Sequence, residues 1–141
     1  LLHKFEEGII MAELKDLVQS ADFKKEKHVP VIEAVEKTKK GEATVVKVSV
    51  GKEIAHPNTT AHHIRWIEVY FLPTGEKFPY QIGKFEFSAH GESGQGADTS
   101  TVYTAPEASL KFKTDKPGAI LASSYCNIHG LWQGSKDITM E

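Results

Sequence analysis

Three short segments of the chain carry side chains that could share a metal ion. They are Glu26-Lys27-His28-Val29-Pro30, the stretch from His56-Pro57-Asn58-Thr59-Thr60 through Ala61-His62-His63-Ile64, and Cys126-Asn127-Ile128-His129-Gly130. Imidazole and thiolate suit transition metals better than carboxylate or water does. Cys126 and His129, three residues apart, offer one sulfur and one nitrogen, a spacing that also arises by chance. His56 and His62 flank a loop whose Pro57 and Asn58 can turn both rings inward. His62 and His63 are neighbours, and on extended chain neighbouring side chains point to opposite faces, so only one of them serves a given site. His28 precedes Val29-Pro30, where the proline favours extended backbone at Val29.

Taken singly, each of these residues has a blander explanation. His3 and His90 are read as surface or packed residues, and His63 as packing or a hydrogen bond outside the site. Cys126 alone would be an inert buried thiol, and Lys24, Lys25 and Lys27 a solvated face. The set of one cysteine with His28, His56, His62 and His129 resists that dismissal. Structural zinc closes with four ligands, and catalytic zinc takes three from the protein. Five donors exceed tetrahedral zinc and suit iron with one octahedral position vacant. A thiolate opposite that vacancy would push electron density towards a bound oxygen species, as in thiolate-ligated haem.

Donors so far apart in sequence need a rigid frame, with the loops that carry them held at one end. The chain's 141 residues support one domain of ordinary size. Hydrophobic residues at 40% and charged residues at 26% are globular composition. A net charge of -2 leaves no basic excess for phosphate, which disfavours nucleic acid. No apolar run is long enough for a membrane helix, and the first eleven residues, with Glu6 and Glu7, do not form a secretory signal. One cysteine excludes a disulfide within the chain, which suits a reducing, cytoplasmic setting.

Leu14, Leu17 and Val18 fall at helical spacing and predict a short amphipathic helix over Ala12 to Ala21. Met11 before it reads as a natural start. The division expected is therefore 1–11 as a leader or expression remnant and 12–141 as a single iron-binding domain. From Val29 the period becomes 2. Val46, Val48 and Val50 alternate with polar residues, as do Phe85 with Phe87 and Leu110 with Phe112, while Ile64 to Leu72 and Ala119 to Tyr125 are continuous apolar runs. Ile138 to Met140 closes the chain. Turn residues at Lys40-Gly41, Pro73-Thr74-Gly75, Gly91 to Gly96 and Lys116-Pro117-Gly118 separate these pieces. About seven short strands with few helical patterns predict an all-β antiparallel β-sandwich.

The segments EKHVP, HPNTTAHHIRW and CNIHGLW, in this order and at these separations, resemble the superoxide reductases, in particular the one-iron neelaredoxins of the desulfoferrodoxin iron-binding family. The likeness runs from about Ala12 to Glu141 and includes FEFSAHGES (Phe85 to Ser93) and VYTAPEA (Val102 to Ala108). It implies an immunoglobulin-like sandwich with one iron ion per chain, cycling between Fe2+ and Fe3+. Carried over by position, His28, His56, His62 and His129 would be equatorial ligands and Cys126 the axial one. Glu26 matches a carboxylate that can take the sixth position of oxidised iron, and Lys27 a cation near the open site. The implied reaction reduces superoxide to hydrogen peroxide, with dismutation to oxygen not the main activity. A rubredoxin-like donor and a homotetramer or homodimer are the implied partners. Larger relatives carry a second, four-cysteine iron site, which a single cysteine cannot build.

A different class, a blue-copper electron-transfer sandwich, also combines an early His with a late Cys and His. Such sites usually have a Met soon after the second His, whereas here the next is Met140. A structural or adhesive sandwich with incidental histidines leaves the three-segment set unexplained.

Overall fold

The computed structural model describes residues 12–141. Two sheets face each other. Strands β1 (Pro30–Glu33), β3 (Thr44–Val50) and β6 (Glu107–Phe112) form a three-stranded sheet in the order β1-β3-β6. Strands β2 (Lys37–Thr38), β4 (Ile64–Pro73), β5 (Tyr80–Glu86), β7 (Gly118–Cys126) and β8 (Gly130–Met140) form a five-stranded one, ordered β2-β8-β7-β4-β5. The pairings are antiparallel except for the two-residue match of β2 with β8.

The alternation read from the sequence is what packs the sheets. Val46, Val48 and Val50 from β3 meet Ile67, Val69 and Phe71 from β4, Ile120 and Ala122 from β7, and Ile138 from β8 in one buried cluster. Each fully buried Val or Ile contributes about 1.5–3 kcal/mol relative to leaving it in water, so this cluster fixes which face of each strand points inward.

The expected immunoglobulin-like all-β sandwich stands, with three differences. Among the described residues there are eight strands where about seven were expected, the extra one being the short β2. The closing segment Ile138 to Met140 is the end of the long β8, not a strand of its own. The helix expected over Ala12 to Ala21 shrinks to the single turn α1 (Leu14–Leu17), which buries no residue. Leu14 and Leu17 are 65% and 48% exposed. A short helix is marginal unless an apolar face is packed, and here the chain leaves the helix at Val18 in extended conformation. The leader and start at Met11 lie outside the described residues, as does His3.

One end of the sandwich collects the chemistry. There β1 begins at Pro30 opposite Val50 of β3, β4 begins at Ile64 opposite Cys126 of β7, and Cys126 pairs with Gly130 of β8. The three donor-bearing segments enter or leave strands at this one edge.

Candidate metal centre

The turn between β7 and β8 sets the Cys126–His129 spacing. Cys126 and Gly130 pair across a three-residue connection, and Gly130, where β8 begins, adopts a left-handed φ of +80°, a conformation that favours glycine. The His129 N–H donates to the Cys126 sulfur at 3.3 Å. The loop before β4 is shaped in part by Gly51, where φ is +91° and a Cβ would stand 2.7 Å from the His56 backbone nitrogen. Only glycine tolerates that approach.

These loops bring the expected donors together. One available donor atom each from His28, His62, Cys126 and His129 lies within 4.8 Å of every other, the only such group of three or more among the described residues. His56 stands at the rim of that group, with its ring centroid 4.8 Å from those of His28 and His62. Cys126 is fully buried, His28 and His56 are buried and His62 half-buried, while His129 is exposed.

The hydrogen bonds decide which nitrogen each ring has to spare. His28 Nδ1–H donates to Glu26 Oε1 at 2.6 Å, and His56 Nδ1–H donates to the Pro57 carbonyl at 2.6 Å. Each neutral ring then has an unprotonated Nε2. His56 Nε2 and His62 Nε2 are buried without a hydrogen-bond partner. His28 Nε2 lies 3.1 Å from His129 Nδ1, which is itself 3.9 Å from the Cys126 sulfur. Unspent buried nitrogens are rare in folded proteins, and here they converge with a sulfur. The donor set fits a transition metal.

Burial favours the neutral form of two of these imidazoles, His56 and His62. It lowers the pKa of His56 to about 4, with further lowering by His28, His62 and Lys27 partly opposed by the Pro57 carbonyl. His62 is lowered too, first by burial and then by the charges of His129, His28 and Lys27. Neutral rings are the form a metal takes. For Glu26, burial acts upwards, but the bonds it accepts from the His28 ring and backbone leave its carboxyl below the usual range.

Glu26 is therefore engaged with His28, orienting the ring by a carboxylate–histidine contact of the kind that supports metal ligands. Glu26, Lys27, His28 and His129 all line an open depression of about 560 Å³. His63 behaves as adjacency demands. Its ring turns away from the donors, Nδ1–H donating to the Thr59 carbonyl at 2.9 Å, and it stacks on His90. Met140 pairs with Thr38 at the far end of β8 and offers nothing to this site.

Several supporting contacts were not legible in the sequence. Asn127 clamps two donor segments: its Oδ1 accepts from the His63 N–H, and its Nδ2 donates to the Ala61 carbonyl. Asp98 accepts from the Thr60 N–H at 2.8 Å, and Asn58 Nδ2 donates to the Thr104 carbonyl at 2.8 Å, so the segment between β5 and β6 braces the His56–His62 loop. Trp132 stacks on His28. Its place in the CNIHGLW run was the one available signal.

Comparison with known proteins agrees with this geometry. The family model described as desulfoferrodoxin matches residues 20–135. A superoxide reductase of Pyrococcus furiosus is 57% identical over 128 residues, covering 91% of this chain and 99% of the relative. A neelaredoxin of Megalodesulfovibrio gigas is 52% identical over 126 residues, covering 89% and 97%. The solved structure of the Archaeoglobus fulgidus superoxide reductase (neelaredoxin) in the reduced form superposes with a TM-score of 0.81 at 58% identity, covering 87% of this chain and 98% of that one.

Proposed function

The chain belongs to the desulfoferrodoxin family, and from that premise we propose that it is a superoxide reductase working at a single iron ion held by His28, His56, His62, His129 and Cys126. The observation that carries the reading is the convergence of unspent imidazole nitrogens on the one cysteine. Four nitrogens and a sulfur are too many for tetrahedral zinc and leave one octahedral position open. Bound there, iron supplies the one-electron chemistry by which superoxide, taking one electron and two protons, becomes hydrogen peroxide.

The side chains around the depression supply the rest. Superoxide is a small anion, and an ammonium ~6 Å from it attracts it by about 3 kcal/mol at an effective dielectric of 20. Lys27 lines the entrance and its charge is felt at His56 and His62, so it draws the anion in. Glu26 holds His28 in the tautomer whose Nε2 faces inward, and it lines the same depression, where its carboxylate would be a further oxygen donor to oxidised iron. The backbone N–H of His129 donates to the Cys126 sulfur and moderates its donation. A rubredoxin-like carrier supplies the electron, the protein works in the cytoplasm, and the chain assembles as a homotetramer or homodimer. No helix among the described residues is long and apolar enough to cross a membrane.

Metal analysis combined with optical and electron paramagnetic spectra, before and after adding superoxide, tests this. One iron per chain, bleached on reduction and recoloured by superoxide with release of peroxide, is the expected result. Copper in place of iron would move the protein to the blue-copper class, and a chain that purifies and folds without taking up metal would sink both readings.

A further inference from the structure

Two segments that carry donors are joined by residues that contribute none. Trp132, on β8 and 8% exposed, lies flat on the His28 ring with centroids 4.9 Å apart and planes at 13°. Its Nε1–H also donates to the His129 carbonyl at 3.2 Å. The same carbonyl accepts a second bond, at 3.1 Å, from Gln19 Nε2. Gln19 is itself fixed to β8 by its backbone, its N–H donating to the Leu131 carbonyl and its own carbonyl accepting from the Gln133 N–H, both at 2.9 Å. Both lone pairs of the His129 carbonyl are thus occupied. The chain that leads to His28 starts from the strand that leads away from His129.

We propose that Trp132 is a positioning residue that sets the His28 and His129 rings at their working angle before metal binds. Gln19 serves as its second anchor on the His129 backbone. The two rings stand at 70° with centroids 4.8 Å apart, and one indole touches both: the ring of His28 by its face and the backbone of His129 by its N–H. Without the indole, the bond to Glu26 on the Nδ1 edge is the one side-chain hydrogen bond that holds the His28 ring from outside the donor group, a hinge about which the ring can swing. The carboxylate fixes the tautomer and the indole fixes the plane. Outer partners of this kind are commonly worth 10–100-fold in metal affinity.

This inference rests on the metal reading above, and the test separates the two. Anaerobic titration with Fe2+, and with Co2+ as an optical probe of the thiolate, is compared for the native chain and for Trp132→Leu, Trp132→Phe and Gln19→Ala. Trp132→Leu removes both contacts, and the expected loss of affinity is about 10–100-fold with a shifted thiolate-to-cobalt band. Trp132→Phe restores the stack without the N–H and recovers most of the affinity. Gln19→Ala, on an exposed residue, releases metal to a chelator a few-fold faster. Should Trp132→Leu fail to fold, the phenylalanine and glutamine variants decide the matter. Variants that match the native chain in affinity, release rate and band position would overturn the positioning role alone. A native chain that binds neither ion would overturn the metal reading itself.

Discussion

Two groups of histidines meet at the start of β4, and they have opposite characters. His62 joins His28, His129 and Cys126 in the tight donor group, with Nε2 buried and unpaired. The next residue, His63, spends its Nδ1–H on the Thr59 carbonyl and lies parallel to His90, ring centroids 3.5 Å apart at 8°. His90 also has a buried Nε2 without a partner. No group of three or more close donors forms around it, however, among the described residues. Burial of an imidazole therefore does not mark a metal site. Convergence of several unspent donors does.

The strongest way to break this contrast is to take the sulfur out of the first group. Cys126→Ser should abolish the thiolate-to-metal charge-transfer band and weaken metal retention by at least about 100-fold, beyond what loss of an outer partner causes. Optical spectra with metal analysis read both effects. Colour surviving in the serine variant would remove Cys126 from the ligand set.

The adjacent pair provides the sharper comparison. His62→Ala should lose metal by about 10–100-fold or more while the fold persists. His63→Phe, which keeps a flat ring against His90, should retain full metal content and instead lower the melting temperature by a few degrees through the lost bond to Thr59. Metal content and thermal melting of the two purified variants give the answer. Equal metal loss in both would mean that the two groups are one.

That contrast was half legible in the sequence. Adjacency on extended chain predicted that one of His62 and His63 would face away, and the structure shows the outward turn. The stack on His90 was not legible, because the two rings are brought together by the long segment between β5 and β6, which carries no periodic signal. The same limit hid Trp132 and Gln19: nothing local to Gln19 announces a bond to the carbonyl of His129. The strands β3, β4 and β7 were readable because burial imposes alternation or a continuous apolar run on each. The helix over Ala12 to Ala21 is shorter than its spacing suggests for the converse reason. Its spacing is amphipathic, but among the described residues Leu14 and Leu17 stay exposed.

A smaller effect is expected at the mouth of the first group. Lys27 lines the depression without being a donor. Lys27→Ala should leave metal content and colour intact, slow the reaction with superoxide several-fold at low ionic strength, and flatten its dependence on salt. Pulse radiolysis over a range of ionic strengths measures this. An unchanged salt slope would assign the attraction to some other charge.

The smallest effect belongs to the opposite end of β4, which serves as the control for both histidine groups. Beyond Pro73, Glu76 accepts a 2.8 Å hydrogen bond from the Tyr80 hydroxyl and pairs with Lys116 at 3.4 Å. The hydroxyl first, joined against the opposing effect of burial by the Lys116 ammonium, holds the Glu76 carboxyl below its ordinary 4.5. A lowered carboxyl contributes its stability in full above the ordinary value and loses it as pH falls through the lowered one. Glu76→Gln should therefore lower the melting temperature slightly at pH 7, by no more than about a degree or two for a pair at the surface, and the difference should fade as pH falls below the lowered carboxyl value. Metal content and the thiolate band should not move at all. A shifted band in this variant would show that the far end of β4 reaches the donors through the strand, and the separation of the two histidine groups by local convergence alone would then be too simple.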